Sequence, residues 1–262
     1  MFLDLAFSRC LSSLALTGAV VDALRIVSSL EELGAIMAAI TRAMDFRDYA
    51  LIHHDGLGET HPDIVDIKDY PAAISQRLIG ERRYRRDPVI CGCFFAGGAF
   101  LWSDLSRIIE MDRHDHASFE IGAREGLNEG ITVPYVRLGD RMGSCTFAGT
   151  DRQDQAPRFL GAAQMIGVFA FQAALRLLCG ERPARASSSR LHPRPRDCVI
   201  LAGQGYSNKE IARALALAPR TVDGYLTEAR RLFGAHDRTE LVVSAVLVGE
   251  VDLHELARRQ HE

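Results

Sequence analysis

The spacing of apolar and polar residues predicts helices and strands that alternate over the first 180 residues. From Leu30 to Met44, apolar residues recur every three or four positions, the period of an amphipathic helix, and a similar pattern covers Pro157–Cys179. Short apolar runs flanked by turn residues predict strands at Tyr49–His53, Ile64–Ile67, Gly130–Arg137 and Met142–Gly149. Leu138, Gly139 and Asp140 read as a hairpin turn. Helices before, between and after strands predict an α+β domain, an α-β-α sandwich in which helices cover the sheet.

The apolar pattern is interrupted at Glu181–Arg190, which holds a proline and three consecutive serines. Such a polar stretch is typical of a flexible connector. We therefore expect an N-terminal domain over 1–180, with a helical extension over about 1–26, a linker over 181–190, and an all-α domain over 191–262. The extension is apolar at helical spacing and could contribute to a dimer interface.

Composition fits a soluble globular protein, since 47% of the 262 residues are hydrophobic and 25% are charged. The net charge is −3, so nucleic-acid binding must be supported by a local region rather than by the whole chain. The uncharged run Cys10–Val21 is too short to span a membrane, and no Lys or Arg precedes Arg9. We expect a cytoplasmic protein with no membrane partner.

Six scattered cysteines and a histidine-rich triplet could in principle bind a metal. Cys91 and Cys93 lack the second ligand pair that zinc spacing requires, so the cysteines read as small buried residues. His114 and His116 would point apart on a helix, which favours a solvated face. His53 and His54 end a strand without an evident partner, while Phe94, Phe95 and Phe100 read as pocket wall or core. No metal or cofactor is predicted.

The most informative region begins at Leu191. Ser207 and Glu210 form a capping box that opens a short helix, and Pro219 suits the first position of the next one. Gly234 can supply a left-handed stop after Phe233. Two short helices joined by a tight turn are typical of a helix-turn-helix.

At these residues the chain resembles the LuxR-type DNA-binding domain, through L-x-P-R, G-x-S-N-K-E-I-A, R-T-V, A-R-R-L-F and R-T-E. The resemblance implies double-stranded DNA as the partner. It places Asp223, Gly224 and Thr227 in the groove and Arg220, Thr221 and Arg231 nearer phosphates. Ser207 and Asn208 complete the predicted DNA-binding set.

Local charge agrees with this interpretation, although two groove positions are unusual. Residues 191–234 carry seven basic and four acidic side chains, a local charge of +3. Relatives often carry Arg, Lys or Asn where Asp223 and Gly224 stand. Asp223 could accept a hydrogen bond from a cytosine amino group, and Gly224 costs the helix about 1 kcal/mol relative to Ala. The family's acidic residue after Pro-Arg is Pro195 here.

The first 180 residues resemble the autoinducer-binding domain of quorum-sensing regulators. The resemblance is carried by Asp87-Pro88-Val89, by Trp102 at the family's distance beyond Asp87, and by Gly130-Ile131-Thr132-Val133-Pro134. It implies that Asp87 accepts the ligand amide N–H and that Tyr70 and Thr146 surround the acyl carbonyl. Without the resemblance, Asp87 reads as a helix cap before Pro88. The predicted ligand-binding set is Tyr70, Ile74, Leu78, Asp87, Pro88, Trp102, Gly130 and Thr146.

Two of these positions depart from the family pattern. Ile74 replaces a Trp that donates to the lactone carbonyl, and Leu78 replaces a Tyr. One hypothesis is that the ligand has a different head group, such as that of a non-lactone signal. The other is that burial of a long acyl chain, at about 0.8 kcal/mol per CH₂, compensates in an N-acyl-homoserine lactone.

The resemblance implies a ligand-responsive transcription factor that works as a homodimer, with Leu241–Val248 as the exposed apolar face joining two DNA-binding modules. The alternative is a ligand-independent regulator or a heterodimerising antagonist of related regulators, whose pocket residues form mere core. No G-x-S-x-G, H-E-x-x-H, P-loop or Rossmann motif is present, so an enzyme is not expected.

Overall fold

The computed structural model describes residues 13–55, 64–76, 86–138, 140–180 and 191–257. The chain divides into two compact units, residues 1–182 and 183–262. The predicted linker, Leu78, Gly139 of the hairpin turn, and residues 1–12 of the predicted N-terminal extension lie outside the described residues.

The first unit is an antiparallel sheet between two sets of helices. Its helices are α1 (Ser13–Ile26), α2 (Leu30–Ala43), α3 (Ala72–Ser75), α4 (Pro88–Phe95), α5 (Arg113–Arg124) and α6 (Leu160–Cys179). Its strands are β1 (Asp48–His53), β2 (Asp66–Asp69), β3 (Phe100–Leu101), β4 (Gly130–Tyr135) and β5 (Gly143–Ala148). The described part of this unit also contains the 3-10 segments Trp102–Arg107 and Gln153–Phe159. The strand order is β2-β1-β5-β4-β3, and this α+β sandwich confirms the predicted fold class.

Alternation along β5 divides the two faces of the sheet. Cys145 and Phe147 are fully buried in the main core, which also contains residues of α1, α2 and α6. Successive side chains of a strand point to opposite faces, so Ser144 and Thr146 face away from that core. Both of these residues line a cavity, described below. One face of β5 therefore packs in the core, and the other face lines the cavity.

Helix α6 packs closely on the sheet. A Cβ at Gly167 would lie 2.8 Å from Val133, so only glycine permits this approach. By length and composition alone, Gln153–Cys179 could cross a membrane. Its Ala163, Ile166 and Ala170 are fully buried against the sheet, as in the core helix of a soluble protein.

The second unit is all-α, as predicted. Its helices are α7 (Pro193–Gly203), α8 (Asn208–Ala214), α9 (Pro219–Phe233), α10 (Arg238–Leu247) and α11 (Leu253–Leu256). The capping box of Ser207 and Glu210 is present, and Gly234 ends α9 with a left-handed φ of 64°. Helices α8 and α9 form the predicted helix-turn-helix.

Several predicted details are corrected by the structure. Strand β2 begins two residues later than Ile64, and α6 begins at Leu160 because Pro157 lies in a 3-10 segment. Phe94 and Phe95 are 61% and 72% exposed and neither lines the main cavity described below, whereas Phe100 is buried as expected.

Two further expectations are corrected, because the exposure and the partners of a side chain depend on residues far away in the sequence. Only part of the Leu241–Val248 segment is an exposed apolar face: Leu241, Ala245 and Val246 are buried in the unit's own core, whereas Val243 and Leu247 are exposed. His53 and His54 do have partners: His53 Nδ1 accepts from the Val65 amide at 3.0 Å, and His54 Nε2 lies 3.0 Å from Ser144 Oγ.

Candidate functional site

A cavity of about 850 Å³ lies on the sheet face opposite α6, beneath α4 and α5. That volume is in the range of small-molecule sites. Six residues of the predicted ligand-binding set line it: Tyr70, Ile74, Asp87, Pro88, Trp102 and Thr146. The residues that the sequence predicted for this site thus come from four separate segments of the chain.

A line of hydrogen-bonded side chains crosses the cavity wall. Trp102 Nε1 donates to Thr132 Oγ1 at 2.9 Å, and the Thr132 and Thr146 hydroxyl oxygens lie 3.0 Å apart. Tyr70 lines the cavity beside Thr146. Burial, followed by the nearby Asp87 carboxylate, raises the pKa of Tyr70, so its phenol stays protonated and able to donate.

Asp87 serves as a helix cap and also lines the cavity. Its Oδ1 accepts from the backbone amides of Val89 and Ile90 at 3.0 and 3.2 Å, and Pro88 occupies the first turn of α4. The sequence left cap and ligand contact as alternatives, but the geometry is compatible with both. Because the cap fixes the side chain, the carboxylate is held in place at the cavity wall.

Ile74 lies at an apolar end of the cavity. It is buried in a cluster with Leu127 and Ala148, against which Tyr70 and Trp102 also pack. A branched aliphatic side chain brings no hydrogen-bond donor to this end.

Gly130 is placed behind Trp102 rather than on the cavity wall. A Cβ there would lie 2.6 Å from Trp102 Cε2 and 2.9 Å from the Phe147 carbonyl oxygen. The glycine thus lets the indole lie flat against β4, and its contribution to the site is indirect.

Other lining residues escaped the sequence analysis. Ser144 precedes Thr146 by two positions on the same strand face, so strand alternation could have identified it. Asp112 and Asp115 form a capping box at the start of α5 and also line the cavity, as does His114. The described residues contain no group of three or more side chains suited to a metal.

The second candidate site is the exposed face of α9. Arg220, Asp223, Gly224, Thr227 and Arg231 are all exposed, and Thr221 is half-buried. The opposite face, with Val222, Leu226 and Ala229, is buried. An exposed second helix of a helix-turn-helix is the element that enters the DNA major groove.

Asp223 is held by a chain of side-chain hydrogen bonds that the sequence did not predict. Asn208 Nδ2 donates to Asp223 Oδ1 at 3.3 Å, and Asn208 Oδ1 accepts from Arg238 Nη1 at 2.9 Å. Ser207 caps α8 and pairs with Glu210, with its side chain exposed. Asn208 thus positions Asp223 on the exposed face.

Arg196, one of the residues counted toward the local positive charge, is paired with an acidic side chain of the same unit. Arg196 donates to Glu255 at 2.7 Å and to the Glu250 carbonyl oxygen at 2.9 Å. Its charge therefore stabilises the packing of the segment that follows α10 and is partly neutralised there.

Comparisons with known proteins match each of the two units to a known domain family. Residues 29–177 match the family model of the autoinducer binding domain, and residues 189–245 match that of the bacterial regulatory proteins of the luxR family. The quorum sensing-dependent transcriptional regulator RpaR of Rhodopseudomonas palustris is 30% identical over 88% of this chain and 95% of its own. The transcriptional activator BjaR1 of Bradyrhizobium diazoefficiens is 30% identical over 70% of this chain and 74% of its own.

Solved structures share the fold at low sequence identity. SdiA in complex with octanoyl-rac-glycerol matches with a TM-score of 0.54 and 18% identity, covering 92% of this chain and 97% of its own. Escherichia coli SdiA in another crystal form matches with a TM-score of 0.52 and 16% identity, covering 90% and 98%.

Proposed function

This chain belongs to the LuxR family of quorum-sensing transcriptional regulators, and on that premise we propose that its first unit binds a small acylated signal in the 850 Å³ cavity. Ligand binding would change the fraction of protein that is competent to bind DNA. A ligand shifts such an equilibrium only by its difference in affinity for the two states.

The observation that carries the proposal is the set of polar groups on the cavity wall. Tyr70 and Thr146 present hydroxyls to the cavity, Thr132 hydrogen-bonds Thr146, and Asp87 presents a carboxylate to the same cavity. A buried amide needs both a donor for its carbonyl and an acceptor for its N–H, and each unpaired group costs about 1–3 kcal/mol. Tyr70 and Thr146 suit the carbonyl, and Asp87 suits the N–H.

The head group would lie at the end formed by Ile74, Leu127 and Ala148. Because Ile74 has no donor, it does not supply the hydrogen bond that a lactone carbonyl would accept from a Trp. We therefore propose an acylated ligand whose head group is recognised mainly by shape. A protein with this fold has been crystallised with octanoyl-rac-glycerol, an acyl compound without a lactone.

The alternative of a ligand-independent protein with a filled pocket is not favoured. It requires the pocket residues to pack as core, whereas they line an open cavity. The relatives are quorum-sensing transcriptional regulators.

We further propose that the second unit binds double-stranded DNA as part of a cytoplasmic homodimer. Val243 and Leu247 on α10 are 51% and 47% exposed and are the apolar side chains of that helix that a second copy could cover. Leu247→Asp should then lower the dimer fraction in sedimentation experiments, whereas Ser244→Asp serves as a neighbouring control.

Removal of the negative charge in Asp223→Asn should strengthen DNA binding and alter base preference in operator selection.

Thermal unfolding of the full chain against a ligand panel tests the proposal. The panel holds acyl-homoserine lactones of several chain lengths, acyl glycerols and free acyl amides. A ligand should raise the melting temperature with concentration, by linkage. Asp87→Asn preserves the cap but removes the anionic acceptor, so it should reduce the shift. A panel without any shift would contradict the proposal, and the head groups that give a shift would identify the ligand class.

A further inference from the structure

A second polar group lies on the cavity wall, away from the Tyr70–Thr146 pair. Ser144 precedes Thr146 on β5, faces the same cavity, and is 2% exposed. Two residues along a strand correspond to about 7 Å. The cavity therefore has two separate hydroxyl positions along one strand.

Ser144 lies at the end opposite the apolar cluster. Ile74 and Leu127 pack near Ala148, on one side of Thr146 along β5. Ser144 lies on the other side, paired in register with Ile52 of β1, which also lines the cavity. If the head group occupies the Ala148 end, the chain of an acylated ligand extends past Thr146 toward Ser144.

His54, which does not line the cavity itself, holds Ser144 in place by a hydrogen bond. Its Nε2 lies 3.0 Å from Ser144 Oγ, and the residue is 8% exposed. Its Nδ1 is buried and has no hydrogen-bond partner within the described segments. A buried polar atom without a partner is rare enough to require an explanation.

The burial of His54 decides which way the hydrogen bond runs. Burial lowers the pKa of His54 to about 4, so the ring is neutral near pH 7. One ring nitrogen then carries the proton, and a buried N–H without an acceptor is less tolerable than an unused lone pair. The proton is therefore on Nε2, which donates to Ser144 Oγ.

This arrangement leaves the Ser144 hydroxyl as a donor. The Cys93 thiol is within hydrogen-bond reach of it, but sulfur is a weak acceptor. A ligand oxygen would compete well for the same proton.

We propose that Ser144, positioned by His54, donates a hydrogen bond to an oxygen on the acyl chain of the ligand, about 7 Å from the acyl carbonyl. The inference rests on the proposed sensor function and adds a determinant of chain chemistry to it. It predicts a preference for a chain that carries a hydroxyl or carbonyl oxygen over a plain alkyl chain of equal length.

The test uses two matched pairs of probes with the full chain. One pair is N-octanoyl-homoserine lactone with and without a hydroxyl about 7 Å along the chain from the acyl carbonyl, and the other is octanoyl glycerol with and without the same hydroxyl. Dissociation constants come from the fluorescence of Trp102, the chain's only tryptophan. The wild type should prefer the hydroxylated member of the pair it binds, by up to roughly tenfold, the value of one neutral hydrogen bond.

Substitutions then assign the preference to residues. Ser144→Ala should remove the preference, so that the two members of a pair bind equally, and the exposed Ser103→Ala should leave the ratio unchanged. His54→Gln, whose amide can donate to Ser144, should keep the preference that His54→Leu loses; this pair gives a second route if Ser144→Ala does not fold.

The outcomes separate the two proposals. Equal binding of plain and hydroxylated probes by the wild type, or a preference that survives in Ser144→Ala, would overturn the Ser144 site and leave the sensor function intact. No binding of any of the probes, together with no shift in the wider thermal panel, would contradict the sensor function itself.

Discussion

The hydroxyl oxygens of Thr132 and Thr146 lie 3.0 Å apart across the pairing of β4 with β5. Trp102 donates to the first, and Tyr70 lies beside the second on the cavity wall. These four side chains connect the 3-10 segment, both strands and the short segment that precedes α3. A change at one hydroxyl should therefore be transmitted to the aromatic groups at either end.

Thr132→Val tests this connection, because valine keeps the shape and removes the hydroxyl. The Trp102 N–H then loses its partner, which should cost the first unit about 1–3 kcal/mol of unfolding free energy. Urea denaturation followed by Trp102 fluorescence measures the loss. The exposed Thr239→Val in the second unit should stay within about 0.5 kcal/mol of the wild type. Equal effects of the two substitutions would argue against the connection.

Two substitutions at Asp87 separate its capping role from its cavity role. Without ligand, Asp87→Ala should lower the stability of the first unit by about 1 kcal/mol, since the Val89 and Ile90 amides lose their acceptor. Asp87→Asn should lose little, because asparagine caps equally well. Chemical denaturation of both ligand-free variants gives the comparison, and equal losses would show that the cap contributes nothing.

Two glycines should respond to alanine in opposite directions. At Gly130 the new methyl would meet Trp102 at 2.6 Å and the Phe147 carbonyl oxygen at 2.9 Å, so we expect a loss of about 1–3 kcal/mol by overpacking. At Gly224 no atom lies within 4 Å, so alanine should stabilise α9 by about 1 kcal/mol through helix propensity. Trp102 fluorescence reports the first unit and far-ultraviolet circular dichroism the second. A stabilised Gly130→Ala variant would contradict the close packing.

Burial of His54 should make the first unit sensitive to mild acid. Burial lowers its pKa from 6.5 to about 4, so between these values the unfolded chain binds a proton that the folded chain does not. The contribution is full above about pH 6.5 and falls as the pH drops to about 4, by about 3 kcal/mol at most. Urea midpoints across this range should vary less in His54→Gln than in the wild type. Parallel profiles would show that His54 is not the group responsible.

The elements that local sequence determines were predicted well. Helix α2 and helix α9 each combine an apolar stripe of helical period with a recognisable stop or cap, and both were predicted almost to the residue. Strand β2 was displaced because its short apolar run does not specify which residues pair with β1. Strand bounds depend on the partner strand, which the local pattern does not contain.

Only part of the candidate site could be predicted, because a local sequence pattern does not show which residues line a cavity. Tyr70, Asp87, Trp102 and Thr146 were placed by their family spacing, and all of them line the cavity. Ser144 and Asp115 were missed, since neither has a local pattern that distinguishes a cavity wall from an ordinary strand or helix start. Phe94 was misassigned because apolar character alone does not decide exposure.

Strand β5 occupies the middle of the five-stranded sheet, with core on one face and cavity on the other. A substitution at Ser144 or Thr146 that changes ligand specificity therefore also alters the central strand of the sheet. In a lineage that changes its signal, the α4 and α5 wall can vary at little cost to folding, while β5 is constrained by both roles. New specificities should accordingly arise first on the helical wall and reach the sheet only after stabilising changes elsewhere.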